Sequence, residues 1–159
     1  MQLFFRKTGR AAAVFQVRSG HGQTGPWTYT VGAGDETSDH LATDSSYDWA
    51  VCGPNGFLRT FVGSLGADSA KLTVKTSYGR NSGGVALVIQ NQGSSTEKVG
   101  VFDAYSGKTH TRVVAPHVST TFVSQLEESF GRYDFRVMVG SDTSFERQLA
   151  GTSTRASPA

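Results

Sequence analysis

"YDWAVCGPNGFLRTFVG" (residues 47–63) decides the fold of this chain. One aromatic strand runs into Gly-Pro-Asn-Gly, and a second strand, which carries an arginine, leaves it. Pro54 presets the backbone at the second position of a turn, and Asn55 and Gly56 accept the left-handed conformations that follow. The stretch therefore predicts a β-hairpin, whose turn either closes the structure or presents a ligand loop.

The hairpin is repeated at 133–151, "YDFRVMVGSDTSFERQLAG". A Tyr-Asp pair precedes each turn, and a phenylalanine, an arginine and a glycine follow it at identical spacing, although the loops differ by two residues. An internal repeat of this kind governs the reading of the whole fold. The repeated motif comprises Tyr47, Asp48, Phe57, Arg59 and Gly63 in the first copy, and Tyr133, Asp134, Phe145, Arg147 and Gly151 in the second.

Further segments extend the repeat toward the N-terminus. The paired segments are "AVFQVRSG" (13–20) with "GVFDAYSG" (100–107), "LFFRKTG" (3–9) with "LVIQNQG" (87–93), and "YTVGAG" (29–34) with "RVVAPH" (112–117). We therefore predict a first repeat at 1–65, a second repeat at 70–152 and a flexible tail at 153–159.

The first repeat lacks one element of the second. Residues 70–84 predict a strand and a turn ahead of "LVIQNQG", whereas the first repeat begins within its own apolar strand. A sandwich without its first strand has an unpaired edge. We expect the chain to be a fragment cut within the first copy of something longer; a natural start with a shorter first copy is the alternative.

Period-two alternation of apolar and polar residues dominates the chain and predicts short strands. Gly, Asn, Ser and Pro separate these strands, a pattern typical of a β-sandwich. We predict an all-β fold of two tandem small β-sandwich modules of immunoglobulin-like type, with a single possible helical turn at 121–130. The strands of the second repeat are predicted at 71–78, 84–91, 98–105, 111–115 and 133–139, with "GRNSGG" (79–84) as a hairpin loop.

The hairpin also predicts a pairing register. A four-residue loop at 53–56 places Ala50 opposite Arg59, so that Asp48 lies diagonal to Arg59 as an ion pair. A loop at 140–143 predicts the same pair for Asp134 and Arg147.

The opposite face of the hairpin is the predicted core. Because strand aromatics are mostly buried, we expect core packing rather than ligand contact for most of them. The residues assigned to this face are Tyr47, Trp49, Val51, Leu58 and Val62.

Composition excludes several classes of function. The net charge is +2 and no lysine or arginine run exists, so nucleic acid is not an expected partner. Cys52 is the single cysteine, which rules out an intrachain disulfide and a cysteine-rich zinc site. No apolar segment is long enough to cross a bilayer, and residues 1–10 lack a signal-peptide layout. Export would require a signal outside this chain.

Sequence motifs for catalysis are missing. The chain has no G-x-S-x-G nucleophile elbow and no H-x-x-x-H pair. We predict no catalytic residue, no cofactor and no metal site, although a metal site assembled in space from the histidines stays an alternative. These are His21, His40, His110 and His117.

One candidate contact surface emerges from the loops. Trp27 follows the loop "GHGQTGP", and loops carry binding residues disproportionately. Trp27, Pro54 and Asn55 are therefore candidates for contact with a lipid or a sugar.

The two hairpins resemble the C-terminal repeat of bacterial phospholipases C of the phosphocholine-preferring type, both haemolytic and non-haemolytic. The segments "YTVGAG", "FRKTGRAAAVFQV" and "IQNQGSSTEKVGVFDAY" add to a resemblance that covers nearly the entire chain. The resemblance implies a parent enzyme that is secreted or periplasmic, often through the twin-arginine route. It also implies hydrolysis of phosphatidylcholine or sphingomyelin by a large N-terminal α/β domain, whose motifs this chain lacks.

The resemblance therefore implies an accessory, non-catalytic pair of modules. We expect it to stabilise the N-terminal catalytic domain, to orient it on a membrane phospholipid surface, or to contact a partner. The second copy carries "GSDTS" where the first carries "GPNG", so a binding role for Pro-Asn-Gly would be confined to the first copy. The alternative is a cell-surface or carbohydrate-binding β-sandwich that shares only the architecture.

Overall fold

A computed structural model describes residues 1–20, 25–78 and 84–153. Most of the predicted tail, part of the predicted 79–84 loop, and His21 lie outside these residues. The described residues form thirteen strands and one 3-10 turn at Pro54–Gly56. The strands are β1 (Gln2–Arg6), β2 (Ala13–Ser19), β3 (Trp27–Val31), β4 (Glu36–His40), β5 (Ser46–Cys52), β6 (Leu58–Ser64), β7 (Leu72–Tyr78), β8 (Gly84–Asn91), β9 (Glu97–Asp103), β10 (Lys108–Val114), β11 (Ser119–Gln125), β12 (Arg132–Val139) and β13 (Glu146–Thr152).

The fold is all-β, as predicted, and every strand pair is antiparallel. The strands form a two-stranded sheet β1-β4, a three-stranded sheet β11-β8-β7 and an eight-stranded sheet β10-β9-β12-β13-β6-β5-β2-β3. The predicted strands of the second repeat are all present.

The predicted helical turn at 121–130 is wrong. Its first half is part of β11, where Phe122 is buried and its neighbours Thr121 and Val123 are exposed. This alternation has the period of a strand and not of a helix. The chain then turns back through a hydrogen bond from the Gly131 amide to the Leu126 carbonyl at 2.8 Å.

The eight-stranded sheet is shared by both repeats. Read from either end, it presents equivalent strands in the same order: β10 with β3, β9 with β2, β12 with β5 and β13 with β6. The two last strands, β6 and β13, pair at the middle, where Thr60 lies opposite Gln148. These two residues are one position after the repeated arginines. The pair therefore marks the centre of an approximate two-fold relationship between the repeats.

The sheet registers test the alignment of the repeats. Val31 lies opposite Ala13 and Val114 opposite Glu97, in agreement with the alignment of "YTVGAG" and "RVVAPH". The alignment of "AVFQVRSG" with "GVFDAYSG" is wrong by three residues. Val17 pairs with Val51 at the position where Val101 pairs with Val137, so residues 13–20 correspond to 97–104. The dipeptide Val-Phe occurs at residues 14–15 and again at 101–102, which lie three positions apart in the repeat, and this similarity explains the wrong alignment.

Each repeat has its own apolar core between strands of the shared sheet and one smaller sheet. Complete burial of such side chains contributes about 1.5–3 kcal/mol each relative to exposure. The first core contains Leu3, Phe5, Ala13, Phe15, Val17, Val31, Leu41, Trp49 and Val51. The second contains Leu72, Val85, Leu87, Ile89, Val99, Val101, Val114, Phe122, Leu126, Tyr133, Phe135, Val137, Val139, Phe145 and Leu149.

Candidate functional site: the junction between the repeats

The Gly-Pro-Asn-Gly stretch forms the predicted hairpin turn. Asn55 and Gly56 have φ angles of 57° and 72°, which confirms the predicted left-handed conformations. Cys52 pairs with Leu58 and not with Phe57, so five residues rather than four lie between the paired positions. Within this loop the Gly53 amide donates to the Phe57 carbonyl at 2.8 Å. The Phe57 amide in turn donates to the Pro54 carbonyl at 3.1 Å.

The longer loop shifts the register and overturns the predicted Asp-Arg ion pairs. Val51, and not Ala50, lies opposite Arg59, so Arg59 shares a face with Trp49 and Val51. Asp48 points to the other face of the sheet, because side chains alternate along a strand. The second hairpin repeats this arrangement with Arg147 opposite Val137.

The acidic members of the motif have other roles. Asp134 accepts a hydrogen bond from Gln148 Nε2 at 2.8 Å. The Asp48 carboxylate covers Gly20, where an added Cβ would lie 2.0 Å from a carboxylate oxygen.

The predicted core face of the hairpin is partly right. Trp49 and Val51 are buried, whereas Tyr47 is half-buried. The register places Leu58 and Val62 on the opposite face, so their assignment to this core was wrong.

Arg59 reaches from the first repeat into the second. Its guanidinium donates to the Ala150 carbonyl at 2.8 Å and to the Tyr133 hydroxyl at 2.9 Å. It also donates to Thr76 Oγ1 at 3.0 Å and to the Tyr78 hydroxyl at 3.3 Å, both on β7. One arginine therefore ties β6 to three strands of the second repeat.

Arg147 makes the reciprocal contact from the second repeat. It donates to the Val62 carbonyl at 2.6 Å and to the Tyr47 hydroxyl at 2.6 Å. Charge-assisted hydrogen bonds are about twice as strong as neutral ones. The tyrosine and the arginine of the repeated motif therefore join the two copies to each other, and they do so twice.

Each arginine also lies over the phenylalanine of its own motif. The Arg59 guanidinium carbon is 4.3 Å from the centre of the Phe57 ring, and the Arg147 carbon is 4.1 Å from that of Phe145. A guanidinium at this distance from a ring face is held by a cation–π interaction. The Phe-x-Arg spacing thus orients the arginine toward the other repeat.

The glycine of the motif makes room for the tyrosine ring. Gly63 lies opposite Tyr47 on the neighbouring strand, and Gly151 lies opposite Tyr133. A Cβ at Gly63 would be 2.5 Å from the Tyr47 hydroxyl oxygen, and one at Gly151 would be 2.8 Å from that of Tyr133. Both rings therefore pass over a glycine to reach the arginine.

Tyr133 is the most buried of the hydroxyl-bearing residues that contact the two arginines. Burial raises the pKa of Tyr133 to about 12, and a hydrogen bond with Tyr78 adds to this, while the nearby Arg59 charge opposes it. Tyr133 is consequently neutral and available as a hydrogen-bonding hydroxyl over the whole physiological range.

Both hairpin loops contact the last strand of the opposite repeat. Thr152 Oγ1 donates to the Asn55 carbonyl at 3.2 Å, and Ser144 Oγ donates to Ser64 Oγ at 3.4 Å. Asp142, in the second loop, accepts from the Ala70 amide at 2.9 Å. Burial works to raise the pKa of Asp142, but hydrogen bonds from Ser144 and backbone amides lower it on balance.

The candidate contact residues occupy different environments. Trp27 is half-buried, with its ring centre 5.6 Å from that of Trp49, whereas Pro54 and Asn55 are exposed in the turn. Among the described residues, no hydrogen bond or ring contact joins Trp27 to the turn. Their role in contact with a lipid or a sugar stays a prediction.

The described ranges provide no cluster of three or more His, Cys, Asp or Glu side chains that could hold a metal ion. His110, one of the four histidines, packs its ring against Phe122 at 5.0 Å between ring centres. None of the helical structure in these ranges is long and apolar enough to cross a membrane.

The fold and the junction define a duplicated all-β unit whose copies share one sheet and exchange Tyr-Arg contacts. The family model described as "Bacterial phospholipase C, C-terminal domain" matches residues 1–64 and 72–152. The chain belongs to this family.

Longer relatives carry a similar segment. The chain is 38% identical to the "Non-hemolytic phospholipase C" of Burkholderia pseudomallei, over 94% of this chain and 22% of the relative. It is 34% identical to the protein of the same name from Pseudomonas aeruginosa, over 95% of the chain and 23% of the relative. The "Hemolytic phospholipase C" of P. aeruginosa is 33% identical, over 90% and 22%. The chain thus spans less than a quarter of the length of these relatives.

Proposed function

We propose that the chain is a non-catalytic accessory unit at the C-terminal end of a secreted or periplasmic phospholipase C. The substrates of the parent enzyme would be phosphatidylcholine and sphingomyelin. One observation carries this proposal: the C-terminal family model covers both repeats of a chain that corresponds to 22–23% of relatives named as phospholipases C. Most of each relative is therefore available for a catalytic domain, which would be the principal partner of this unit.

The junction supports an accessory role. Six residues of the repeated motif contribute to joining the copies: both tyrosines and both arginines through hydrogen bonds, and both glycines by making room for the tyrosine rings. A rigid shared sheet is suited to stabilising a neighbouring domain or to orienting it on a membrane. In this proposal each repeat is a small β-sandwich of immunoglobulin-like type, supported by its separate core.

Hydrolysis of phosphocholine esters tests the proposal directly. The purified chain is expected to release no phosphocholine from phosphatidylcholine or sphingomyelin. The B. pseudomallei relative without its matching segment is expected to keep its active site but to lose thermal stability or activity on vesicles relative to soluble substrate. Hydrolysis by the chain alone would overturn the non-catalytic assignment, and an unaltered truncated relative would overturn the accessory one.

The contact residues can be tested without disturbing the turn. Asn55→Gly retains the left-handed backbone while it removes the side-chain amide. If the unit binds phosphatidylcholine vesicles through the loop, this variant and Trp27→Ala are expected to weaken binding several-fold. The matched control is Thr143→Ala in the second copy's loop, which lacks Pro-Asn-Gly. Binding to soluble glycans without binding to vesicles would favour a carbohydrate-binding module instead.

A further inference from the structure

The two repeats differ at one edge. In the second repeat, β7 pairs with β8 along its whole length, from Leu72 opposite Asn91 to Tyr78 opposite Val85. The counterpart of β8 is β1, because β1 pairs with β4 as β8 pairs with β11. Leu3 lies opposite Asp39, and Leu87, the residue aligned with Leu3, lies opposite Phe122. Within the described ranges β1 pairs with β4 alone. The first repeat therefore has an open strand edge where the second has β7.

The backbone of β1 is ready for another strand. Met1 and Lys7 exchange hydrogen bonds with the β4 side of the sheet at 2.7–2.9 Å. Because such bonds alternate along an antiparallel ladder, the amides and carbonyls of Gln2, Phe4 and Arg6 point away from β4. An unpaired row of this kind is a template for strand addition.

A groove of about 770 Å³ follows this edge. Strand β1 bounds it on one side and β7, itself the last strand of its sheet, on the other. Its floor is formed by β2, β5, β6 and β13 of the shared sheet, and its apolar lining includes Phe5, Phe15, Phe57, Phe61, Val74 and Leu149. The groove thus lies at the place that the two-fold relationship assigns to a counterpart of β7.

Burial differs between the copies in the same place. Phe145 and Leu149, in the core that β7 helps to cover, are 2% and 3% exposed. Their counterparts Phe57 and Phe61 are only half-buried. The motif tyrosines show the same difference: Tyr133 is 2% exposed, whereas Tyr47 is half-buried. These aromatic residues of the first repeat therefore lack the covering strand that β7 provides in the second.

The two arginines differ in the same sense. Arg59 donates to two hydroxyls of β7, on Thr76 and Tyr78, in addition to its contacts with the shared sheet. In the described part of the chain, Arg147 donates a hydrogen bond to a single hydroxyl, that of Tyr47. Two hydroxyl acceptors, spaced as in β7, would complete its surroundings.

We propose that an extended strand fills this groove, antiparallel to β1, and that the longer phospholipase C polypeptide supplies it. The strand would present two alternate apolar side chains, then a serine or threonine hydroxyl, then a tyrosine, as Leu72, Val74, Thr76 and Tyr78 do. By equivalence with β7, the hydroxyl residue would lie opposite Leu3 and the tyrosine opposite Met1. The chain corresponds to only 22–23% of these relatives, so the rest of their polypeptide is long enough to contain such a strand. This assignment of the source rests on the proposed function.

A fusion protein tests the groove independently of the source. A second copy of this chain's own residues 71–84 is placed ahead of Met1, so that the copied tyrosine precedes Met1 by as many residues as Tyr78 precedes Val85. The melting temperature is expected to rise by about 5 °C or more, since a 1 kcal/mol gain corresponds to about 2–4 °C at this size. Amide exchange at Gln2, Phe4 and Arg6 is expected to slow by about tenfold or more.

Matched variants of the appended strand define its contacts. Replacing the copies of Leu72 and Val74 by aspartate is expected to abolish the gain at unchanged length. Replacing the copies of Thr76 and Tyr78 by valine and phenylalanine is expected to remove part of the gain, and to remove none in an Arg147→Met background. A fusion without either the thermal gain or the slower exchange would overturn the inference.

Two further measurements test the source. The strand that matches β1 is expected to be protected from exchange in the intact B. pseudomallei relative and unprotected in its excised C-terminal segment. Equal exchange in both would overturn the source while leaving the fusion result, and the hydrolysis assay, unaffected. Concentration-dependent protection of β1 in the unfused chain would assign the groove to a second copy instead, and would overturn the proposal.

Discussion

The Arg59 guanidinium of the first repeat donates to the Tyr133 hydroxyl of the second at 2.9 Å, and Arg147 returns the equivalent bond to Tyr47 at 2.6 Å. The two contacts flank the Thr60–Gln148 pair at the centre of the shared sheet. A motif that is repeated within the chain is therefore used between the copies. The junction depends on both copies having kept the same residues.

Loss of the Arg59 side-chain charge is expected to destabilise the protein substantially. Arg59→Met keeps much of the apolar stem but removes the hydrogen bonds to Ala150, Tyr133 and Thr76. Hydrogen bonds to a charged group contribute about 1.5–3 kcal/mol each at most, and these are half-buried, so we expect a net loss of about 2–3 kcal/mol. Urea unfolding measures this change.

The control for this variant is Arg112→Met. Arg112 is exposed and donates to the carbonyl of its neighbour Thr111. We expect a change within about 0.5 kcal/mol there, as for most surface substitutions. Arg147→Met should fall between the two, because Arg147 lacks the β7 partners of Arg59. Equal stabilities for the Arg59 and Arg112 variants would refute the structural role of the junction.

Gly63→Ala is expected to destabilise the junction through the tyrosine. The new Cβ would lie 2.5 Å from the Tyr47 hydroxyl oxygen and 2.8 Å from the ring carbon that carries it, so the ring must move away from Arg147. Overpacking of this kind costs about 1–3 kcal/mol. Thermal or urea unfolding provides the measurement.

Two comparisons assign that loss to the ring. At Gly100, in β9, an added Cβ would have its nearest neighbour at 3.6 Å, an ordinary contact, so Gly100→Ala should be nearly neutral. In a Tyr47→Leu background, Gly63→Ala should cost clearly less than in the unaltered protein. Additive effects of the two substitutions would contradict the proposed contact.

The register shows how much of the hairpin the sequence could predict. Pro54, Asn55 and Gly56 specify a turn, and the structure has one there. The number of residues in the turn depends on whether Cys52 pairs with Phe57 or with Leu58, and the one-letter pattern is compatible with either choice. Because side chains alternate, this single residue moved Arg59 from the face of Asp48 to the face of Val51.

The partner of the arginine could not be predicted for a different reason. Identical motifs in both copies make an intra-repeat contact and an inter-repeat contact equally compatible with the sequence. The choice is made by the pairing of β6 with β13, which joins strands more than 80 residues apart. A signal was nevertheless present, since the tyrosine and the glycine recur with the arginine, and a glycine opposite a tyrosine indicates a ring that crosses the strand.

The Tyr29–Asp39 contact predicts a dependence of stability on acid pH. The Tyr29 hydroxyl donates to Asp39 at 2.6 Å and, with the His40 amide, lowers the pKa of Asp39 below its usual 3.8. A lowered carboxyl pKa stabilises the fold above the usual value, and this contribution is lost as the pH falls through the lowered one.

Tyr29→Phe and Asp39→Asn test this contact. The difference in unfolding free energy between the unaltered protein and Tyr29→Phe should be largest near neutral pH and should shrink below pH 3.8. Asp39→Asn should remove this part of the pH dependence altogether. A difference that stays constant into the acid range would contradict the assignment.

The junction also predicts a loss of stability in alkali. Burial, with the hydrogen bond to Tyr78, raises the pKa of Tyr133 from 10.0 to about 12, although the Arg59 charge opposes the rise. The unfolded chain releases the phenol proton first, so between these values it binds fewer protons than the folded chain. The contribution of Tyr133 to the free energy of unfolding should therefore be constant below pH 10 and fall as the pH rises toward 12.

Tyr133→Phe separates this contribution from the rest of the protein. It should lower stability at neutral pH by the loss of the Arg59 bond, and should flatten the decline between pH 10 and pH 12, as followed by urea unfolding at several pH values. Tyr29, whose pKa is also raised to about 12, accounts for a remaining slope that Tyr29→Phe should remove. Tyr105→Phe, at an exposed tyrosine, is the control and should leave the decline unchanged. A decline of equal steepness in Tyr133→Phe and Tyr105→Phe would show that the junction tyrosine does not control alkaline unfolding.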